Sequence, residues 1–429
     1  MKASHLKSIK YEAYNSGFNN IVPIFKVALT IFNMEGVKGV NNNWKDFGEW
    51  MYNKLISDTD AIPQEVIEEV KLLTANASGN LEKAKLVYQY MQNKTRYISV
   101  QVGIGGWKPM NAMDVDKLGY GDCKGLTNYT KALLEAVGVP SYYTVVWGDS
   151  DIKNIDSDFS VTEGNHVILC LPNKDENIFL ECTSQTNPFG FTAGFTDDRD
   201  VLLVTPEGGK IVHTKVYNAE DSQQLTTANI NLTATGDLTA QVEIKSTGYQ
   251  YNFHEAVLNK SLRDQKLYYK EYWDYHNNLN IGEIELHNDK DQVFVKEKVA
   301  IDVSNYASKS GKRLILMPNM FNRVTDIPPR YEKRNLDFQF QRAYTDQDEF
   351  IINLPEGLSV EAMSKGEKIE SKFGFYQYKI EQIEKNKIKY TRTHTMYKGS
   401  YAKEDYDDFR DFFKRIVKSD KSKIVIKTL

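Results

Sequence analysis

The feature that most restricts the fold is a change of hydrophobic period near residue 216. Before it, apolar residues recur at three- and four-residue steps: Phe47, Trp50, Met51 and Leu55, then Val66, Ile67, Val70 and Leu73, then Ala84, Val87, Tyr88 and Met91. That spacing puts one apolar stripe along a helix. After it, stretches such as Thr227 to Thr233, Leu238 to Ile244 and Val293 to Val299 alternate apolar and polar residues. Alternation belongs to strands with one face buried. A chain that runs helices first and strands afterwards is expected to be α+β rather than a doubly wound sheet.

At 429 residues the chain is too long for one compact core, so two or three domains are expected. The expected division is a lead-in over 1–45, the remnant of a preceding β-rich domain, then a helical plus antiparallel-sheet domain over 46–215. A β-rich, sandwich-like domain follows over 216–429, with a helical insertion from about Tyr251 to Tyr275 and a terminal helix from about Glu404 to Val417. The 26 Tyr and 20 Phe suit packing on pleated faces.

Net charge is −4 with both signs interspersed, so the basic field that attracts nucleic acid is missing. No apolar run reaches the roughly 20 residues needed to span a bilayer. The start, Met1-Lys2-Ala3-Ser4-His5, lacks the apolar stretch of a signal peptide. A cytoplasmic protein is expected, unless a leader is missing. The three cysteines, Cys123, Cys170 and Cys182, are too few for a disulfide scaffold, and no C-x-x-C pair points to structural zinc. Neither metal nor cofactor is expected.

The chemistry concentrates in Gly119-Tyr-Gly-Asp-Cys-Lys-Gly-Leu-Thr127. Asp122 suits an N-cap, which makes Cys123 the first residue of a helix continued by Leu126, Tyr129, Leu133 and Val137, with Gly138 as its stop. A helix N-terminus favours a thiolate, and its N–H groups can receive an oxyanion. A thiolate nucleophile needs a base held by a third group. His166 opens the apolar run Asn165 to Leu171, and Glu181 lies in Ile178 to Thr183. The polar interval Asn173–Glu176 makes the two runs a candidate hairpin. A four-residue loop sets Leu171 opposite Ile178 and Glu181 opposite Ile168, two residues from His166. His166 and Glu181 are then diagonal neighbours on one face. The residues taken singly have plainer readings: Cys123 as a small core hydrophobe, His166 as a sheet histidine, Glu181 as a strand-end charge.

Together these residues resemble the transglutaminase-like (papain-like) superfamily, in which a Cys at a helix start precedes a His on one strand and an acid on the next. A bacterial branch common in Bacteroidetes, with β-rich domains of unknown function on either side, is similar in Gly103 to Pro109, Tyr120 to Lys124, Asn165-His166, Leu180 to Ser184, Pro188 to Gly190 and Asp197 to Arg199. Two departures stand out. The acid is Glu where Asp is common, and only about 45 residues precede the helical part, so the chain resembles a truncated gene product.

The resemblance implies acyl transfer through a thioester, with catalytic Cys123, His166 and Glu181 and a peptide or protein substrate. It also implies a periplasmic or cell-envelope setting if a leader is missing. Gln101 and Trp107 are candidate oxyanion donors. Three function classes follow: a cysteine peptidase or amidase, an amine-acceptor transglutaminase, and a non-catalytic binding or scaffold module.

Overall fold

The structure, a computed structural model, describes Ser4, Leu6 and residues 8–428. Except for Ser4, the opening stretch Met1 to His5 lies outside the described residues. The chain is mixed α plus β, and its residues cluster into two compact units. One is residues 24–216; the other is 217–428 with the described residues before 24.

In the unit spanning 24–216, a short antiparallel hairpin, Ile31–Met34 with Val37–Val40, precedes the helices. α1 (Trp44–Met51) starts at Asn43, whose side chain accepts from Asp46 N at 2.9 Å. α2 (Gln64–Leu73) follows Pro63, and α3 (Asn80–Lys94) buries Ala84, Val87, Tyr88 and Met91, the stripe seen in the sequence. The short α4 (Ala112–Leu118), which the sequence reading did not single out, ends at Gly119 in the left-handed region, φ 67°. α5 (Cys123–Ala136) is the central helix of this unit. Gly138, φ 75°, terminates it as expected of a glycine past the last turn.

The main sheet of the unit has five antiparallel strands: β1 (Tyr142–Val146), β2 (His166–Leu171), β3 (Ile178–Leu180), β4 (Asp200–Thr205) and β5 (Gly208–His213). Their order in the sheet is β3-β2-β1-β4-β5. Leu169, Leu171 and Leu180 share a core with Leu126, Leu133 and Leu134 of α5, while Ile168, Cys170 and Phe179 pack with Val146, Val201 and Leu203. β2, β3 and β4 are therefore buried on both faces and read as continuous apolar runs, whereas the edge strand β5 is largely half-buried or exposed.

The other unit is built on an eight-stranded sheet. Its strands are β6 (Gln223–Leu232), β7 (Leu238–Thr247), β8 (Leu279–Asp289), β9 (Phe294–Val303), β10 (Tyr344–Asn353), β11 (Gly366–Ser371), β12 (Gly374–Glu384) and β13 (Lys387–Met396). The order is β8-β9-β7-β6-β10-β13-β12-β11, with every pair antiparallel except β6 and β10. In β6, Gln224, Thr226, Ala228, Ile230 and Leu232 are buried and the residues between them are exposed or half-exposed. The buried face joins one core with α7 (Leu262–Tyr272), α8 (Tyr406–Asp420) and a four-stranded sheet of Ser308–Ser310, Arg313–Leu316, Leu358–Met363 and Ile424–Thr428. The helical stretch expected over 251–275 divides into α6 (Gly248–Glu255) and α7, because Ser261 caps a new helix by accepting from Asp264 N. Charges in this core are paired: Arg392, fully buried, meets Asp348 at 2.8 Å and Asp420 at 3.2 Å.

One close approach governs how α1 seats on the first sheet. A Cβ built on Gly48 would lie 2.2 Å from Gly209 Cα, so only glycine fits there. Gly48→Ala is expected to destabilise the protein by about 1–3 kcal/mol. Urea unfolding checks this, with Gly105→Ala, where nothing lies within 4 Å, as the unaffected control.

Candidate active site

The backbone around Cys123 is set by its cap. Asp122 adopts extended geometry, φ −83° and ψ −175°, and its Oδ1 accepts from Gly125 N at 2.9 Å. Its Oδ2 pairs with the Lys124 ammonium, both side chains being nearly inaccessible. Cys123 is therefore the first residue of a 14-residue helix whose Leu126, Tyr129, Leu133 and Leu134 are buried. The Cys123 backbone cannot shift without moving that core. At 7% exposure, Cys123 sits among Tyr143, Val167, Trp107 and Trp147.

His166 is the first residue of β2 and Glu181 follows the last residue of β3. Because the strands are antiparallel, these are the same end of the sheet. Leu171 faces Ile178, Cys170 faces Phe179 and Leu169 faces Leu180, the register a four-residue loop implies. His166 Nε2 and Glu181 Oε2 lie 2.8 Å apart. The second carboxylate oxygen accepts from Thr183 N at 3.1 Å and from Thr183 Oγ1 at 2.5 Å. Tyr88 Oη donates to the Glu181 carbonyl at 2.8 Å, tying the segment to α3.

Burial alone would lower the pKa of His166. The Glu181 carboxylate, and a side-chain hydrogen bond to Cys123, outweigh it and raise the imidazole to about 10. With Nε2 committed to Glu181, Nδ1 is the nitrogen left for the sulfur. Burial likewise opposes the Glu181 carboxylate, but His166 and Thr183 reverse the effect and hold its pKa below the usual range. The structure thus joins His166 to Glu181 and sets Cys123 close enough to influence the imidazole. Such an arrangement can hold a thiolate–imidazolium pair oriented by a carboxylate.

Several neighbours take roles that the sequence reading did not assign. Asn165 clamps Gly148, its Oδ1 accepting from Gly148 N at 2.7 Å and its Nδ2 donating to Gly148 O at 3.1 Å. The Phe195 ring meets His166 edge-on at 5.3 Å. A side chain at Gly148 would collide with that ring at 2.7 Å. Arg199, fully buried, donates to the carbonyls of Asp197 at 2.8 Å, Asp149 at 3.2 Å and Trp147, so it staples the loop after β1. Lys153 lies over the Trp147 ring, and the Trp147 Nε1–H is buried without a hydrogen-bond partner. Of the two sequence-derived oxyanion candidates, Trp107 is half-buried in the cluster that holds Cys123, whereas Gln101 is exposed. All three cysteines are free, and among the described residues no group of His, Cys, Asp and Glu is arranged to hold a metal ion. No described helix is long and apolar enough to cross a membrane.

The raised His166 pKa has a definite sign in stability. A group raised from 6.5 to about 10 contributes fully below 6.5 and loses its contribution as pH rises through about 10. The stability difference between the native protein and His166→Ala is therefore expected to shrink from pH 6.5 towards pH 10. Urea unfolding of both proteins across that range checks it.

A family model described as a domain of unknown function with a solved structure (DUF3858) matches residues 312–426, within the second unit. Among solved structures, the chain is similar to one described as a "putative protease" from Parabacteroides distasonis ATCC 8503. The TM-score is 0.53 at 13% identity, over 89% of this chain and 58% of that one. This chain therefore spans a little over half that protein's length, and a likeness at this identity shows the fold alone. A search of curated proteins finds no match.

Proposed function

We propose that this chain is a cysteine hydrolase, a peptidase or amidase of transglutaminase-like architecture acting on a peptide-like substrate. The observation that carries the proposal is the His166 ring, held 2.8 Å from Glu181, with Cys123 close enough to add to the rise in the imidazole pKa. The fold shared with the Parabacteroides protein, itself described as a "putative protease", supports the same reading.

In this mechanism the Cys123 thiolate attacks the amide carbonyl, forming the carbon–sulfur bond. The carbon–nitrogen bond breaks as the His166 imidazolium gives its proton to the leaving amine, leaving a thioester. Neutral His166 then takes a proton from water, the resulting hydroxide attacks the thioester carbonyl, and the acid departs as the thiol is regenerated. Glu181 holds the ring orientation and stabilises its charged form. The Cys123 backbone N–H at the helix start is one oxyanion donor. The Trp147 indole N–H, buried and uncommitted, is a better second donor than exposed Gln101.

Cleavage of a peptide-amide library by native protein is the direct test. Cys123→Ala is expected to abolish turnover. Glu181→Gln is expected to lower kcat by about 10²–10⁴-fold, and loss of the indole donor in Trp147→Phe by about 10²-fold. Iodoacetamide should alkylate native Cys123 below neutral pH faster than it alkylates free cysteine. Alkylation at the free-cysteine rate, with no cleavage, would leave a non-catalytic module. Incorporation of a fluorescent primary amine in preference to hydrolysis would make the protein an acyl transferase.

A further inference from the structure

The eight residues 96–103 are all exposed, and four of them are large and apolar: Tyr97 at 44%, Ile98 at 38%, Val100 at 37% and Val102 at 86%. Tyr, Ile and Val are strand formers, and an uncovered run of them with no acidic residue and only Arg96 charged is an edge that proteins normally pair or guard. This run is partly paired. Arg96 and Tyr97 lie parallel to Tyr120 and Gly121, and Ile98 N donates to Gly121 O at 2.9 Å. Beyond Ile98 the ladder stops because its partner turns away: after Gly121 the chain enters the Asp122 cap and becomes α5. Among the described residues, the N–H groups of Ser99 to Val102 have no backbone partner.

The geometry points to this segment as the substrate-binding edge: we propose that Ser99–Val102 receives an extended, uncharged polypeptide carrying apolar side chains, as an added strand. The position such a strand would take is the one Tyr120-Gly121 vacates, and Gly121, where that chain leaves the ladder, is two residues before Cys123. A peptide laid there brings its backbone carbonyls past the sulfur. Main-chain hydrogen bonds would supply affinity, and alternate side chains against Val100 and Val102 would supply selectivity for apolar residues. The absence of charge on 97–102 disfavours an acidic or basic partner. The inference rests on the hydrolase reading for its purpose, but the binding can be measured without it.

The probe is a fluorescein-labelled heptapeptide of alternating Val and Thr, followed by anisotropy on full-length Cys123→Ala protein, where no chemistry can occur. The peptide is expected to bind, and an analogue N-methylated at alternate residues, which keeps the side chains but cannot pair as a strand, is expected not to. Val100→Lys and Val102→Lys should each weaken binding about tenfold or more. The urea unfolding midpoints of both lysine variants should match that of the Cys123→Ala parent, which shows the fold intact. Equal binding of the N-methylated analogue, or binding unaffected by both lysine variants, would overturn the proposal. So would a self-association abolished by Val100→Lys with no peptide bound, which would assign the edge to a second copy. Peptide binding without cleavage by the native protein would refute the hydrolase while leaving the docking edge. Cleavage of short amide substrates with no heptapeptide binding would do the reverse.

Discussion

The pairing of β2 with β3 is the constraint on which the first unit depends. With Leu171 opposite Ile178, one face of the pair offers Leu169, Leu171 and Leu180 to α5, and the other offers Ile168, Cys170 and Phe179 to Val146, Val201 and Leu203. A slip by one residue would exchange the two faces and send His166 and Glu181 to opposite sides. Core packing and site geometry are therefore fixed by one choice of register. α5 is tied to the same strand where Thr127 Oγ1 donates to Val167 O at 3.3 Å. The helix that carries the sulfur and the strand that carries the imidazole are thus parts of one packed layer.

Burial makes the site's charges mutually dependent. Glu181, Asp122 and Lys124 are all nearly inaccessible, and an isolated charge in such a place would be neutralised or would unfold its surroundings. Each is satisfied locally: Glu181 by His166 and Thr183, Asp122 by Lys124 and the Gly125 N–H. A side chain at position 148 is crowded by the Phe195 ring edge at 2.7 Å and by His166 Cβ at 3.1 Å. Precision at the sulfur comes from supports at several distances, and most of them are main-chain contacts.

Much of this was legible in the sequence where the signals were local. The Asp122 cap, the α5 start at Cys123 and the Gly138 stop depend on residues within a turn or two of each other. The polar interval 173–176 carried the hairpin register, because loop length and side-chain alternation together leave few pairings. The split between α6 and α7 was missed because the aromatic run from Tyr251 to Tyr275 keeps a helical flavour across Ser261, whose capping bond interrupts it. α4 was missed because seven residues give too short a period to see. Trp147, Phe195 and Arg199 acquire their roles only through contacts with distant segments. Asp197 to Arg199 could be noticed as a motif, but nothing in its neighbourhood says that the guanidinium grips carbonyls of the loop after Val146.

In the second unit, one join differs from all the others in its sheet. β6 and β10 run parallel, with Gln223 beside Thr345 and Asn231 beside Asn353, while every other neighbour in that sheet is antiparallel. The sheet is thus two sets of locally wired strands, β6 to β9 and β10 to β13, and the second set lies within the stretch that matches the family model. Each set can zip from its own turns. The seam must wait for segments more than a hundred residues apart to meet, which is the slow kind of closure. A ribosome therefore releases the first set with an unmated rim, along Gln223 to Leu232, well before its mate exists. Until then that rim is an unpaired strand edge, open to mispairing with other chains.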